Sequence, residues 1–209
     1  CESLVKVPVS REHLISAFDD HTSAQNGDAD IDAWLDGVPE AERPEKMKPA
    51  AVLMPLIDHS DGMTVLLTQR TDHLSAHAGQ ISFPGGRFEN GDVTPENTAL
   101  RETEEEIGLP RTHIEVLGRL AVRETGTGYR VVPVVGVITP PISVMPDPHE
   151  VAEVCEGPLS VVLDPANHRF ETRIISGIER QFYSVPYGDY YIWGLTARLL
   201  VNLSEHLAR

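Results

Sequence analysis

The sequence contains few of the features that mark secreted, membrane-spanning or nucleic-acid-binding proteins. Only Cys1 and Cys155 carry thiols among its 209 residues, which excludes a disulfide framework and a cysteine-based zinc site. The longest apolar runs, residues 50–57 and 131–138, are far shorter than the roughly 20 residues of a membrane-spanning helix. Positive charge is also scarce, because 17 Lys and Arg face 32 Asp and Glu, for a formal net charge of −15. We therefore expect neither a membrane nor a nucleic acid as partner.

The remaining composition favours one body with a buried core, preceded by a polar arm. Hydrophobic residues make up 41% of the chain, which is enough to fill a core. Residues 1–47 are polar and acidic and are predicted to form an N-terminal arm, with one helix that begins after Ser10 as its N-cap. Residues 48–209 form the predicted body, since no internal repeat or linker divides them. The start, Cys1 to Leu4, lacks a secretory signal pattern and suggests that the sequence begins inside a longer one, so we expect a cytoplasmic protein.

Short apolar segments predict a mixed sheet with a few helices. Residues 50–57 and 63–68 are apolar and flank an Asp-Gly turn, which is the pattern of a β-hairpin. The last apolar segment, 195–207, has helical spacing instead. Further strands are predicted at 114–117, 130–138, 173–175 and 181–183. Strands interleaved with helices indicate the α/β class.

The central helix has the clearest boundaries. Thr94 is a good N-cap, and Pro95 suits the first helical position. Gly108 can end the helix in the left-handed conformation, and Pro110 prevents its continuation. The sequence therefore predicts one helix from Pro95 to Ile107.

Three carboxylates share one face of this helix. Glu102, Glu105 and Glu106 lie at positions i, i+3 and i+4, whereas Glu104 points away and is expected to be solvated. Like charges at this spacing repel one another, so the face calls for a cation, which a hard divalent metal would supply. An acidic run alone is typical of a solvated helix face. The upstream turn Phe83–Gly86, whose glycines let a ligand approach the backbone, favours instead a clamp for a metal and a phosphate.

The segment from Gly86 to Leu109 resembles a Nudix box. Two positions depart from the pattern, because Asp92 is followed by eight residues rather than seven before the Arg-Glu pair, and Thr103 occupies an apolar slot. The matching positions are Gly86, Arg101, Glu102, Glu105, Glu106, Gly108 and Leu109.

Both departures resemble one branch of this family, the coenzyme A pyrophosphatases. The similarity extends outside the box and covers about residues 50–205. It includes residues 66–71, 77–86, 127–136, 150–159 and 191–197. The branch usually carries an arginine where this chain has Ser75, and a serine cannot replace its charge toward a phosphate. Arg70, Arg87 and Arg123 are the candidates for that missing charge.

The resemblance implies a fold and an activity. The expected fold is a Nudix-like α/β/α sandwich, with a mixed sheet between helices and the box as a loop-helix-loop. The expected reaction is metal-dependent hydrolysis of the pyrophosphate bond of coenzyme A or acyl-coenzyme A, giving 3′,5′-ADP and (acyl-)4′-phosphopantetheine. Mg²⁺ or Mn²⁺ is the implied cofactor, a small nucleoside diphosphate derivative is the implied partner, and a homodimer is compatible with the family.

The resemblance also implies a set of metal ligands. Glu102 and Glu106 come first, Glu105 comes next, and Gly86 would add its backbone carbonyl. These oxygen donors suit Mg²⁺ or Mn²⁺. Arg101 lies just off the ligand face and is expected to orient a neighbouring glutamate rather than to touch substrate.

The water-activating base and the substrate contacts have several candidates. The base lies either on the helix, where Glu105 is the candidate, or in a later loop, where Glu150 is the candidate. Glu150 follows a proline-rich stretch long enough to swing over the site, although a surface glutamate at the start of a strand fits the position equally. Arg70 and the turn of Gly85 and Gly86 are candidates for phosphate contact. Tyr129 is the candidate for shaping an adenine pocket.

Three other functions fit parts of the sequence. A Nudix hydrolase for ADP-ribose, NADH or another nucleoside diphosphate derivative is favoured by Ser75. A Nudix module that senses a nucleotide without cleaving it would be expected to have lost box carboxylates, and here all three remain. An acidic metal buffer is disfavoured because the acids outside the helix show no EF-hand pattern.

Overall fold

The computed structural model describes residues 9–19, 47–72, 79–125, 128–175 and 178–209. These ranges form a large mixed sheet, a smaller antiparallel sheet and the helices that pack on them.

The large sheet is organised around its central strand, β1 (Lys48–His59). β1 runs parallel to β7 (Tyr129–Ile138). On its other side, the second half of β1 pairs antiparallel with β2 (Gly62–Arg70), and the first half pairs antiparallel with β4 (Gly85–Arg87). The predicted hairpin is confirmed by the β1–β2 pair. Four more strands complete the eight that the described residues contribute: β3 (Ile81–Ser82), β5 (Ile114–Arg119), β6 (Arg123–Glu124) and β8 (Val151–Pro158).

Helices cover both faces of the large sheet. α2 (Pro95–Ile107) packs on one face and α4 (Gly194–Leu207) on the other, because alternate residues of each strand point to opposite faces. The strand side chains clustered with α2 are Ala51, Leu53, Val132 and Val134. Those clustered with α4 include Met54, Leu56, Val135 and Val137. The expected α/β/α sandwich with a mixed sheet is therefore confirmed. In the described ranges, no helix combines the length and the apolar character required to cross a membrane.

A first helix, α1 (Arg11–Asp19), packs on the same face as α4. Leu14 and Phe18 are buried in the core cluster that α4 covers. Ser10 caps the helix as predicted, because its Oγ accepts a hydrogen bond from a backbone N–H of the first turn at 3.2 Å. The predicted arm thus contains a helix that packs on the body, and its residues 1–8 and 20–46 lie outside the described ranges.

The second sheet follows β8 in the chain. It consists of β9 (Arg169–Ile175), β10 (Ile178–Tyr187) and β11 (Tyr190–Trp193), with β10 in the middle. The strands predicted at 173–175 and 181–183 are confirmed as parts of β9 and β10. The described connections also contain short helical turns: a 3₁₀ turn at Arg111–His113, α3 (Leu159–Val162) and a 3₁₀ turn at Pro165–Asn167.

Cys155 lies in β8 as part of the core. It is buried among apolar side chains, and burial raises the pKa of its thiol to about 11. Because the reactive form of cysteine is the thiolate, this residue acts as a small apolar side chain.

Candidate active site

Helix α2 carries the candidate site, and both of its predicted ends are confirmed. Thr94 Oγ1 accepts a hydrogen bond from the N–H of Asn97 at 3.2 Å. Gly108 has a left-handed φ of 66°, and its N–H donates to the carbonyl of Glu104 at 3.0 Å. Because both ends are capped, the positions of the glutamates along the helix are fixed relative to the sheet.

The carboxylate face of α2 lies against the glycine turn. Gly86 in β4 is so close to Glu102 that a Cβ atom at this position would overlap the carboxylate. A Cβ atom at Gly85 would overlap the backbone of Ala51 and Val52 in β1. The two glycines therefore permit β4 to lie between β1 and the helix carboxylate.

Glu106 is the most buried carboxylate of this face. Its exposed fraction is 5%, and the backbone of Gly85 hydrogen-bonds its carboxylate. Burial raises the pKa of Glu106 to about 8, and the negative charges of Glu102 and Glu150 add to this shift. Arg70 opposes the shift, so its guanidinium is the positive charge that faces Glu106. Burial also raises the pKa of Glu102. Carboxylates from two separate segments therefore meet at one place and repel one another.

Glu150 reaches this face because the loop that precedes β8 is docked on the end of α2. The N–H of Met145 donates to the carbonyl of Ile107 at 2.7 Å, and the N–H of Asp147 donates to the carbonyl of Glu106 at 2.8 Å. The N–H of Glu150 in turn donates to the carbonyl of Asp147 at 3.1 Å. The proline-rich stretch that was expected to swing over the site is thus fastened to the helix that carries the carboxylates.

Arg101 is held by Asp92 in the loop that precedes α2. Its Nε donates to Asp92 Oδ1 at 2.9 Å, and its Nη2 donates to Asp92 Oδ2 at 3.0 Å and to the carbonyl of Arg87 at 2.9 Å. Asp92 is 4% exposed and also accepts hydrogen bonds from Thr98 Oγ1 at 3.0 Å and from the N–H of Glu89 at 2.9 Å. The hydrogen bond from Arg101 lowers the pKa of Asp92. The acid of the box loop is therefore a structural anchor for Arg101.

The remaining nitrogen of Arg101 faces the carboxylates. Nη1 lies 3.0 Å from Glu102 Oε1 and donates to Glu105 Oε2 at 3.0 Å. Arg101 therefore contacts two of the glutamates that it is predicted to orient. The side chain of Glu105 is 60% exposed and forms an ion pair with Arg101, whereas Glu106 is buried and Glu102 is mostly buried. In the parts of the chain that the structure describes, no three His, Cys, Asp or Glu side chains are arranged to hold a metal ion by themselves.

Two of the predicted substrate contacts, Arg70 and Tyr129, differ in their partners. Arg70 ends β2, and its Nε is buried with no hydrogen-bond partner within the described ranges. Tyr129 begins β7, and its hydroxyl accepts a hydrogen bond from Arg87 Nε at 2.8 Å. The Arg87 guanidinium lies 5.3 Å from the ring centroid of Tyr129, so one side of this ring is covered by a cation rather than open to an adenine. Ser75 lies outside the described residues.

The box loop contains a feature that the sequence did not predict. Val93 has a φ of 54° and is 64% exposed. A β-branched side chain rarely adopts this left-handed conformation, because its Cβ crowds the backbone. Val93 directly follows Asp92 in the stretch that is one residue longer than the Nudix pattern, and that spacing was the only signal in the sequence.

The chemistry available at this site is that of hard oxygen donors beside the glycine turn. Glu102, Glu106 and Glu150 repel one another, and a divalent cation would relieve that repulsion. The chemistry of these donors therefore fits a hard divalent cation and does not suit a soft metal.

Known proteins are similar in sequence to this chain. A NUDIX domain family model matches residues 47–175. The curated relatives include proteins named "Uncharacterized Nudix hydrolase NudL" from Yersinia pestis (strain Pestoides F) and Yersinia pseudotuberculosis serotype O:1b (strain IP 31758). Each is 39% identical over 159 residues, which cover 76% of this chain and 79% of the relative.

Solved structures of Nudix proteins are also similar. A Nudix hydrolase from M. Smegmatis, RenU, is 26% identical with a TM-score of 0.48, over 56% of this chain and 74% of that one. The NUDIX domain of Shewanella oneidensis NrtR, solved with ADP ribose, is 22% identical with a TM-score of 0.45, over 64% of this chain and 85% of that one. Given the family match and the 39% identical relatives, this chain belongs to the Nudix family and is a Nudix pyrophosphohydrolase.

Proposed function

We propose that this enzyme hydrolyses the pyrophosphate bond of coenzyme A or acyl-coenzyme A, releasing 3′,5′-ADP and (acyl-)4′-phosphopantetheine. The observation that carries the proposal is the meeting of Glu102, Glu106 and Glu150 beside the glycine turn. Coenzyme A as substrate is supported by the stretches outside the box, such as 66–71 and 77–86, that resemble the coenzyme A pyrophosphatases.

Glu102 and Glu106 are the proposed first ligands of Mg²⁺ or Mn²⁺. Both are hard oxygen donors, and each has a pKa raised by burial, so a cation would stabilise their ionised forms. Glu105 and the backbone carbonyl of Gly86 complete the proposed set, and Glu105 would have to leave Arg101 to join it. When bound, the cation would offset the negative charge of the pyrophosphate.

Glu150 is the proposed base that takes a proton from the attacking water. It is an exposed residue, yet its charge reaches Glu102 and Glu106, so it lies at the border between the carboxylate face and solvent. The water oxygen forms a bond to one phosphorus as the bridging P–O bond breaks, and the leaving phosphate takes the electron pair. Arg70 is the proposed phosphate contact and Arg101 a positioning residue. Glu105 is the alternative base.

A second candidate function is the hydrolysis of ADP-ribose, NADH or another nucleoside diphosphate derivative. Ser75 favours this candidate, because it removes an arginine that the coenzyme A branch usually carries. The carboxylate chemistry would be the same, and the difference would lie in the contacts beyond the pyrophosphate.

The test is a comparison of substrates. Purified protein is incubated with Mg²⁺ or Mn²⁺ and, separately, with coenzyme A, acetyl-coenzyme A, ADP-ribose and NADH, and the products are identified by mass spectrometry. We expect the fastest reaction with a coenzyme A compound, giving 3′,5′-ADP. Faster cleavage of ADP-ribose or NADH would establish the second candidate, and no cleavage with either metal would contradict both.

A variant pair tests the base. Glu150→Gln should lower kcat by about 10²- to 10⁴-fold. Glu153→Gln is the matched control, because Glu153 lies in the following strand and accepts a hydrogen bond from the Tyr190 hydroxyl at 2.8 Å. We expect the control to retain full activity. An unchanged kcat in Glu150→Gln would assign the base to Glu105.

A further inference from the structure

Thr71 is a buried residue directly after β2, and it contacts the loop that carries Glu150. It is 5% exposed, and it follows Arg70, the proposed phosphate contact. Its Oγ1 donates a hydrogen bond to the carbonyl of His149 at 3.0 Å, and its N–H donates to the carbonyl of Glu150 at 3.1 Å. One residue therefore binds two successive carbonyls, and one of them belongs to the proposed base.

The loop on which Thr71 acts is a compact turn with its own hydrogen bonds. The carbonyl of Asp147 accepts from the N–H of Glu150 at 3.1 Å and from the N–H of Val151 at 2.8 Å. Asp147 Oδ1 accepts from the N–H of His149 at 2.9 Å. The N–H of Asp147 is in turn bonded to the last turn of α2. This turn is therefore held by α2 at its beginning and by Thr71 at its end.

An irregularity in the strand pairing lies beside these hydrogen bonds. Along β2 and β8, Gln69 pairs with Glu153 and the next residue pairs with Val151, so Ala152 is an extra residue in β8. A β-bulge of this kind bends its strand and changes where the neighbouring side chains point. The two hydrogen bonds from Thr71 lie just beyond the bulge, and they join the residues before β8 to the end of β2.

We propose that Thr71 is a positioning residue, whose two hydrogen bonds hold the Glu150 loop and so set where Glu150 lies relative to Arg70. This inference rests on the proposed function, in which Glu150 takes a proton from the attacking water and Arg70 contacts a phosphate. The water must lie between the base and the phosphorus, and a displacement of about 1 Å there can cost about 100-fold in rate. Thr71 joins the strand end that carries the phosphate contact directly to the loop that carries the base.

The first test removes the hydroxyl of Thr71 and keeps its shape. In the Mg²⁺-loaded enzyme, Thr71→Val should lower kcat for the best substrate by about 10- to 100-fold, because the base is displaced. KM should change by less than about 3-fold, because the contacts that bind substrate are left in place. Thr71→Ser keeps the hydroxyl and should retain kcat within about 3-fold of wild type. An equal loss of kcat in both variants would assign the effect to packing and overturn the proposal.

Thr68→Val is the matched control. Thr68 lies in β2 and is 1% exposed, and its Oγ1 donates to the carbonyl of Ser82 in β3 at 3.2 Å. The control therefore loses a buried hydroxyl from the same strand without losing a contact to the Glu150 loop. We expect its kcat to stay within about 3-fold of wild type. A loss of kcat equal to that of Thr71→Val would show a general effect on β2 and overturn the proposal.

A double variant tests whether Thr71 acts through Glu150. In a Glu150→Gln background, Thr71→Val should lower kcat further by less than about 3-fold, because the group that it positions is already gone. Two losses of kcat that multiply in the double variant would show that the residues act independently, and they would overturn the proposal.

Amide hydrogen exchange separates failure of this inference from failure of the proposed function, because it does not depend on turnover. In Thr71→Val, the amides of residues 147–151 should exchange at least about 10-fold faster than in wild type. The amides of β7 should be unchanged, and Thr68→Val should show no such acceleration in the loop. This result would establish that Thr71 holds the loop even if no substrate is cleaved. Unchanged exchange in residues 147–151, or equal acceleration in β7, would overturn the inference even if Glu150→Gln is inactive.

Discussion

Two carboxylates, one in the loop before the box helix and one on that helix, are buried to a similar extent, but their pKa values are shifted in opposite directions. Asp92 is 4% exposed and has a lowered pKa, whereas Glu106 is 5% exposed and has a pKa raised to about 8. The difference is the partner, because Arg101 binds Asp92 through two nitrogens, while Glu106 faces Glu102 and Glu150. A buried carboxylate with a full set of partners holds the fold in place, and one among like charges marks the position for a ligand.

Glu106→Gln should have the largest effect of the substitutions at these carboxylates. We expect at least about a 100-fold loss of kcat/KM, because a proposed ligand of the divalent cation is removed. In the metal-free protein the same change should raise the free energy of unfolding by about 1 to 3 kcal/mol near pH 7. The reason is that unfolded Glu106 is ionised, with an ordinary pKa of 4.5, and folding must bury or protonate it. Urea denaturation with EDTA measures this effect, and steady-state kinetics measures the first.

Glu105→Gln tests whether burial causes the effect of Glu106→Gln, because Glu105 is the neighbouring residue on the same helix. Glu105 is 60% exposed and lies on Arg101, so its replacement should leave metal-free stability within about 0.5 kcal/mol of wild type. Its activity loss should be smaller than that of Glu106→Gln. Equal stabilisation of the metal-free protein by both substitutions would show that burial is not the source of the difference.

Gly86→Ala should disturb the carboxylate face without changing any charge. The added methyl group would overlap the Glu102 carboxylate, so we expect Glu102 to move and kcat/KM to fall by about 100-fold. Gly91→Ala, in the loop between β4 and α2, is the control, because a Cβ atom there meets nothing within 4 Å. Activity assays on both variants are the measurement. An equal loss of activity in the two variants would contradict this prediction.

Asp92→Asn should remove the ion pair between Asp92 and Arg101. Arg101 would remain partly buried without its carboxylate, and we expect a loss of about 3 kcal/mol in the free energy of unfolding at pH 7. The pKa of Asp92 is lowered in the folded protein, so its contribution is present above its ordinary pKa of 3.8 and disappears as the pH falls through the lowered value. Urea denaturation of both proteins should therefore show stabilities that converge in acid. A difference that is constant with pH would contradict the assignment to this ion pair.

Val93→Asn should have the smallest effect, and it should be stabilising. Asparagine tolerates the left-handed conformation better than a β-branched residue, so the free energy of unfolding should rise by about 1 kcal/mol. Val122, another exposed valine outside a strand or helix, lacks this conformation, and Val122→Asn should change stability by less than about 0.5 kcal/mol. Thermal denaturation of the two variants is the measurement.

The sequence was sufficient for the elements whose signals are local. Thr94 and Gly108 act within one turn of α2, and the Asp-Gly hairpin is closed by neighbouring residues, so both were predictable. The anchoring of Glu150 depends on hydrogen bonds from a loop to the last turn of α2, where the carbonyl of Glu106 lies 147 − 106 = 41 positions earlier in the chain than its donor Asp147. Distant pairings of this kind leave no periodic pattern in a single sequence.

Formation of the parallel β1–β7 ladder sets the stage of folding at which the carboxylate face is assembled. Lys48 pairs with Tyr129, which is 129 − 48 = 81 positions away, and the glycine turn and box helix lie within that loop. The β1–β2 hairpin needs only a short turn and can form in about microseconds, whereas the ladder waits for closure of the long loop. Because α2 packs on side chains of both β1 and β7, the proposed metal donors on this helix reach their final position only after the ladder has closed. A metal ion added to a refolding chain would accordingly bind only to molecules whose central ladder has closed. The rate of metal binding during refolding would then report the rate of the last folding step.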